Sequence, residues 1–68
     1  MRTAYYEIRV RGRLSDMLLG AFPRLHAEMQ GAETVLAGAL PDQAALHGVL
    51  SQIEALGLEL LEVRRRPG

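Results

Sequence analysis

The 68-residue sequence contains no cysteine, and it also lacks tryptophan, lysine and asparagine. Without cysteine the chain can form no disulfide, no thiolate zinc site and no iron–sulfur cluster, so the links that hold many very small domains together are excluded. A chain of this length buries only about 60% of the surface that it exposes when unfolded. We therefore expect self-association to contribute to its stability.

An excess of one charge sign is also missing, since eight arginines balance eight acidic residues and the formal net charge at pH 7 is zero. A nucleic-acid-binding domain would carry a broad positive field, and an RNA-binding sheet would carry several aromatic residues. No apolar run approaches the ~20 residues that cross a bilayer, and the N-terminus lacks the apolar segment of a secretory signal. We expect no nucleic-acid or membrane partner, and a cytoplasmic location.

What the sequence does contain is alternation with a period of two. Between Ala4 and Arg11 apolar and polar residues alternate, as in a half-buried strand. Gly12 ends this pattern, and Ser15 is suited to cap a short helix of residues 16–21. The chain therefore begins with a strand followed by a helix.

A second alternation, over residues 24–30, predicts strand two, and Gly31-Ala32 can form a tight hairpin turn into strand three, residues 33–39. A two-residue turn places Leu36 in the core and turns the residues on either side of it outward. A turn longer by one residue reverses both faces of strand three. The sequence alone leaves both alternatives open.

The clearest helix opens at Pro41-Asp42, carries one apolar stripe and stops at Gly57. Residues 59–65 alternate again and predict the last strand. The order β-α-β-β-α-β predicts an α+β, ferredoxin-like fold with a four-stranded antiparallel sheet of order 4-1-3-2 and two helices on one face. We expect residues 1–68 to form a single domain of this kind.

The pattern also predicts how the first strand pairs with the last. One register joins apolar residues on the buried face and opposite charges on the open face at the same time. The predicted pairs are Ile8 with Val63, Val10 with Leu61, Arg9 with Glu62, and Glu7 with Arg64.

The open face of the sheet, which no helix is expected to cover, mixes apolar and charged side chains. Such a face favours a homodimer that meets through its sheet. The candidate interface residues are Tyr5, Glu7, Arg9, His26, Val35, Ala37, Leu60 and Glu62.

Residues for catalysis or metal binding are few. The two histidines, His26 and His47, belong to different elements and fall short of the three or four ligands of a zinc site. A chain this small has no room for an enclosed pocket unless two copies form it. The catalytic alternative is therefore a small dimeric α/β-barrel enzyme in which His26 or a glutamate acts as the acid or base. We expect no catalytic residue, metal or cofactor, and an enzyme is the less favoured alternative.

Two resemblances to known proteins add to these predictions. The segment TVLAGALPDQAALHGVL, residues 34–50, with LGLELLEVR at residues 56–64, resembles short uncharacterised proteins of high-GC Gram-positive bacteria. The whole β-α-β-β-α-β chain also resembles ACT-like regulatory domains, which bind small ligands at dimer interfaces. That resemblance implies a site for a small anionic ligand at the loop after the first strand, at Arg11, Gly12 and Arg13.

Together these observations predict a homodimeric protein-interaction or regulatory module that associates through its sheet. The alternative is an ACT-like domain that senses a small ligand.

Overall fold

The computed structural model describes residues 3–66. The elements are β1 (Ala4–Arg11), α1 (Asp16–Leu19), β2 (His26–Gln30), β3 (Glu33–Leu40), α2 (Gln43–Ala55) and β4 (Leu60–Arg66). The strands form one antiparallel sheet with the order β2-β3-β1-β4, which reads 4-1-3-2 when counted from the opposite edge. The α+β architecture, with four antiparallel strands and two helices, is confirmed. Within the described residues, neither helix is long and apolar enough to cross a membrane.

The core lies on one face of the sheet, where side chains from both helices pack against β1 and β3. On β1 every second residue points into it, and Ile8 and Val10 are completely buried. The buried cluster consists of Ala4, Tyr6, Ile8, Val10, Leu14, Phe22, Leu36, Leu40, Leu46 and Ile53. The predicted alternation of β1 therefore defines the core face.

Thr34 is a polar side chain fully buried beside this core. Its hydroxyl donates to the carbonyl oxygen of Gly12 at 2.7 Å and accepts from the amide of Leu14 at 3.3 Å. Both bonds are needed, because an unpaired polar group in a buried position costs about 1–3 kcal/mol. Thr34 thereby fixes the chain as it leaves β1.

The first helix begins as predicted, since the Ser15 hydroxyl accepts a hydrogen bond from the amide of Leu18 at 3.3 Å. It ends at Leu19, two residues before the predicted end. From there the backbone bonds span three residues, from Ala21 to Leu18 and from Phe22 to Leu19. These tighter turns bring Phe22 into the core, and α1 is left as a single turn.

The second helix begins at Gln43, directly after the predicted Pro41-Asp42 opening, and its predicted stop is confirmed. The Asp42 carboxylate accepts from the amide of Ala45 at 2.8 Å and caps the first turn. After the last turn, the amide of Leu58 donates back to the carbonyl of Ile53 at 3.1 Å. This 6→1 bond closes the helix where the sequence predicted its stop.

The hairpin between β2 and β3 has the two-residue turn. Gln30 pairs with Glu33 and Ala27 with Leu36, and Gly31 occupies the first turn position with φ +63°. Glycine adopts this left-handed conformation without steric cost. Leu36 is accordingly buried in the core, and the first of the two alternatives for β3 is confirmed.

The pairing of β1 with β4 is as predicted over three pairs and wrong at the fourth. Ile8 faces Val63, Arg9 faces Glu62 and Glu7 faces Arg64, but Val10 faces Leu60 and not Leu61, because the register shifts between Arg9 and Val10. An extra residue in β4 breaks the alternation here. Two adjacent leucines carry no sign of such a shift in the sequence.

The shift also corrects the predicted face of Leu60. Leu60 is paired with the core-facing Val10 and lines a groove beside Ile53 of α2. It therefore lies on the helix side of the sheet and not on the open face.

Candidate functional site

Arg9 lies at the centre of the open face and joins all four strands. From β1, its Nη1 donates to Gln30 Oε1 of β2 at 3.2 Å and to Glu33 Oε1 of β3 at 3.0 Å. Its Nε lies 3.7 Å from Glu62 Oε1 of β4. The predicted contact between Arg9 and Glu62 is confirmed, whereas the sequence pattern did not indicate the contacts with Gln30 and Glu33.

Further ion pairs extend this arrangement along β1 and β4. Arg64 Nη2 lies 3.1 Å from Glu62 Oε2 on the same strand. Glu7 faces Arg64 in the register, but its carboxylate lies 3.4 Å from Arg66 Nη2. The open face is thus covered by opposite charges that compensate one another.

The apolar residues of the open face lie beneath these charged side chains. Val35 and Ala37 of β3 are only 6% and 9% exposed. At the other end of the face, Tyr5 Oη lies 3.4 Å from His26 Nε2. Seven of the eight candidate interface residues belong to the open face, and Leu60 does not. Because Val35 and Ala37 are covered, the open face presents a mainly polar surface to solvent.

The loop after β1 is held by bonds within the chain. The amide of Gly12 donates to the carbonyl of Ala32 at 2.7 Å, and Arg11 Nε lies 2.8 Å from Glu59 Oε1. The side chain of Arg13 is exposed. Of the three candidate ligand-binding residues, Arg11 and Gly12 already have acceptors inside the chain.

A surface that the sequence did not indicate lies on the helix side of β4. Leu60 is 43% exposed and Val63 is 38% exposed. Between β4 and α2 runs a groove of about 400 Å³, lined by Leu50, Ser51, Ile53, Glu54, Leu58 and Leu60. Among residues 3–66 no strand pairs with the outer edge of β4, which is the last strand of the sheet. Exposed apolar side chains therefore lie beside a free strand edge.

A second groove, of about 370 Å³, separates the segment before β2 from α2. The groove is largely apolar, and Arg24 and Gln52 are the polar side chains in its lining. The remaining lining residues are Ala21, Phe22, Pro23, Leu25, Ala45, Gly48 and Val49. This is a different place from the predicted loop at Gly12. Within residues 3–66 no group of three histidine, aspartate or glutamate side chains is arranged to hold a metal ion.

A family model described as DUF8691, a domain of unknown function, matches residues 5–64. The chain belongs to the DUF8691 family. The match reaches from β1 into β4 and so covers the sheet, both helices and both grooves. No curated protein and no solved structure matches the chain.

Proposed function

We propose that this DUF8691 domain is a ferredoxin-like, homodimeric protein-interaction or regulatory module that associates through its sheet. The observation that carries the proposal is the free edge of β4 with Leu60 and Val63 exposed beside it. The β-α-β-β-α-β order, with both helices packed against one face, supports the ferredoxin-like assignment. The resemblance to short proteins of high-GC Gram-positive bacteria supports a bacterial origin.

Size and surface chemistry favour association. A core of ten buried residues in a domain this small supplies only about 3–5 kcal/mol, so burying further apolar surface in a dimer adds substantially to stability. A strand at the edge of a sheet presents unpaired amides and carbonyls that can pair with another strand. In this domain the free edge belongs to β4, which also carries the exposed side chains of Leu60 and Val63.

The contacts of the acidic side chains on the open face favour a binding role for that face over catalysis. The carboxylates of Glu7 and Glu62 lie against arginines, and Glu28 Oε1 accepts from Gln30 Nε2 at 3.3 Å. A general base needs a free carboxylate next to a substrate cavity. Instead, Glu7 and Glu62 join β1 to β4, and Glu28 contacts a neighbour on its own strand.

Native mass spectrometry combined with sedimentation velocity, over about 1 to 100 µM, tests the proposal. We expect a species of twice the 7.5 kDa chain mass whose fraction rises with concentration. A monomer across the whole range would contradict the homodimer.

The second candidate function is ACT-like sensing of a small anionic ligand, and the groove at Arg24 favours it. Its volume of about 370 Å³ suits a small metabolite, with an arginine at the lining to bind a carboxylate or phosphate. The same native spectra test this candidate, because a retained ligand adds a reproducible mass that Arg24→Gln should reduce. If the added mass is absent, and if a panel of anionic metabolites at millimolar concentration gives no thermal shift, sensing is ruled out.

A further inference from the structure

We propose that a second copy of the chain docks on β4, antiparallel to it, about a two-fold axis at Val63. Two sheets of four strands would then form one continuous sheet of eight. This inference rests on the proposed homodimer and deepens it by naming the surface and the register.

Symmetry restricts how two identical edge strands can pair. An axis perpendicular to the sheet keeps the two open faces on the same side, and it pairs residues at equal distances on either side of the axis. Paired residues in an antiparallel ladder point to the same face, and neighbours along a strand point to opposite faces. The axis must therefore pass through a residue and not between two residues.

On β4 the charges select one such residue. An axis at Glu62 brings two glutamates together, and an axis at Arg64 brings two arginines together. An axis at Val63 places two valines opposite each other and sets Glu62 of one copy against Arg64 of the other, twice. The regular part of this register covers residues 62–64 and ends at the irregularity near Leu61, so the inference rests on the Val63 contact and the two Glu62–Arg64 pairs. Opposite charges in facing positions stabilise a strand pair, whereas like charges weaken it.

The other free edge of the sheet is less suitable. β2 has five residues, His26–Gln30, and its midpoint is Glu28. A register centred on Glu28 would place two glutamates on the axis, and one centred on Met29 would set Glu28 against the uncharged Gln30. The observations therefore favour β4 over β2 as the docking edge.

The arginines of β4 are consistent with this register. Charges on an edge strand commonly prevent pairing with other chains. Here Arg64, Arg65 and Arg66 oppose any register centred on the end of the strand, since arginines would then face one another. The run thus disfavours registers centred on residues 64–66, and a register centred on Leu61 would lie at the irregularity of β4, so the alignment at Val63 remains.

Val63 also supplies the apolar contact on the axis. Its side chain is 38% exposed, and its pairing with core-facing Ile8 places it on the helix side of the sheet. In the proposed dimer each Val63 covers the other. The contact between the two valines then removes apolar surface of both copies from water.

A charge-pair experiment at Val63 tests the inference directly. Because a residue on a two-fold axis meets itself, Val63→Arg and Val63→Glu should each weaken the homodimer, raising its Kd by about a hundredfold. An equimolar mixture of the two variants should form a heterodimer, with the Kd returning to within about tenfold of the original. Met29→Arg is the matched control, because Met29 is 36% exposed on the other edge strand and should leave the Kd unchanged.

A second measurement does not depend on charge. The chain has no cysteine, so Val63→Cys introduces a single thiol that should form an interchain disulfide under mild oxidation. Met29→Cys should remain unlinked under the same conditions. Circular dichroism of every variant verifies that it is folded.

The outcomes separate this inference from the proposed function. If the arginine and glutamate variants stay dimeric separately and Val63→Cys does not cross-link, the dimer uses another surface and the inference is overturned while the homodimer stands. If the unmodified chain is a monomer, both are overturned. Loss of each homodimer with recovery in the mixture supports both.

Discussion

Two glycines of this chain occupy opposite environments. A Cβ atom at Gly38 of β3 would lie 2.6 Å from the carbonyl oxygen of Arg24 and 2.9 Å from Leu25 Cδ2. A Cβ atom at Gly48 of α2 would meet nothing within 4 Å. Gly38 therefore allows the segment before β2 to cross β3 closely, whereas Gly48 only weakens its helix.

The same substitution should therefore have opposite effects at these positions. Gly38→Ala forces the backbone at Arg24 to move, and we expect it to lower the free energy of unfolding by about 1–3 kcal/mol. Gly48→Ala should raise the free energy of unfolding by about 0.5–1 kcal/mol, because alanine favours a helix over the unfolded chain. Urea denaturation at one protein concentration measures both, and full stability of Gly38→Ala would contradict the close approach.

At the scale of elements, the two helices contribute unequally. α2 has thirteen residues and places Leu46 and Ile53 in the core, whereas α1 is one turn of four residues with none fully buried. Each begins with a side-chain cap, Asp42 for α2 and Ser15 for α1. The cap of the longer helix should therefore matter more for the stability of the whole domain.

Removing each cap tests this difference. Asp42→Ala breaks the 2.8 Å bond to the amide of Ala45, and we expect it to lower the free energy of unfolding by about 1 kcal/mol. Asp42→Asn keeps an acceptor and should stay close to the original stability. Ser15→Ala should have a smaller effect than Asp42→Ala, because α1 holds less of the core. Chemical denaturation gives the ranking, and equal losses at both caps would contradict it.

At the scale of the whole molecule, the two faces of the sheet are covered by different groups. On the open face Arg9 connects β1 to the other three strands, and Val35 and Ala37 are covered. On the opposite face α2 and the single turn of α1 leave the outer strand β4 uncovered. The chain therefore leaves the apolar side chains of Leu60 and Val63 on β4 partly exposed.

A dimer formed there should make stability depend on concentration. Because unfolding also separates the two copies, each tenfold rise in protein concentration should add about 1.4 kcal/mol to the apparent stability of the dimer. Thermal unfolding followed by circular dichroism should show a midpoint that rises with concentration. The Val63→Arg variant serves as the control and should show a constant midpoint. A constant midpoint for the unmodified chain would argue against a stable dimer.

Local patterns were sufficient for the order of elements and for much of the pairing. Period-two alternation located the strands, Ser15 was predicted to cap α1, and one register satisfied both faces of β1 and β4 over Ile8, Arg9 and Glu7. Such features depend on neighbouring residues or on two strands compared directly. They could therefore be predicted from a single sequence.

Features that depend on three or more elements could not be predicted. The shift that turns Leu60 toward α2 depends on how β4 meets both β1 and the helix, and the partners of Arg9 come from three other strands. The side chain of Leu60 lies on the helix side of the sheet for the same reason. The sequence by itself determined the order of strands and helices and the core face of β1, because backbone periodicity and capping act over a few residues. Only the tertiary structure decided which apolar side chains remain uncovered, because coverage depends on where α1 ends and how far α2 extends over the sheet.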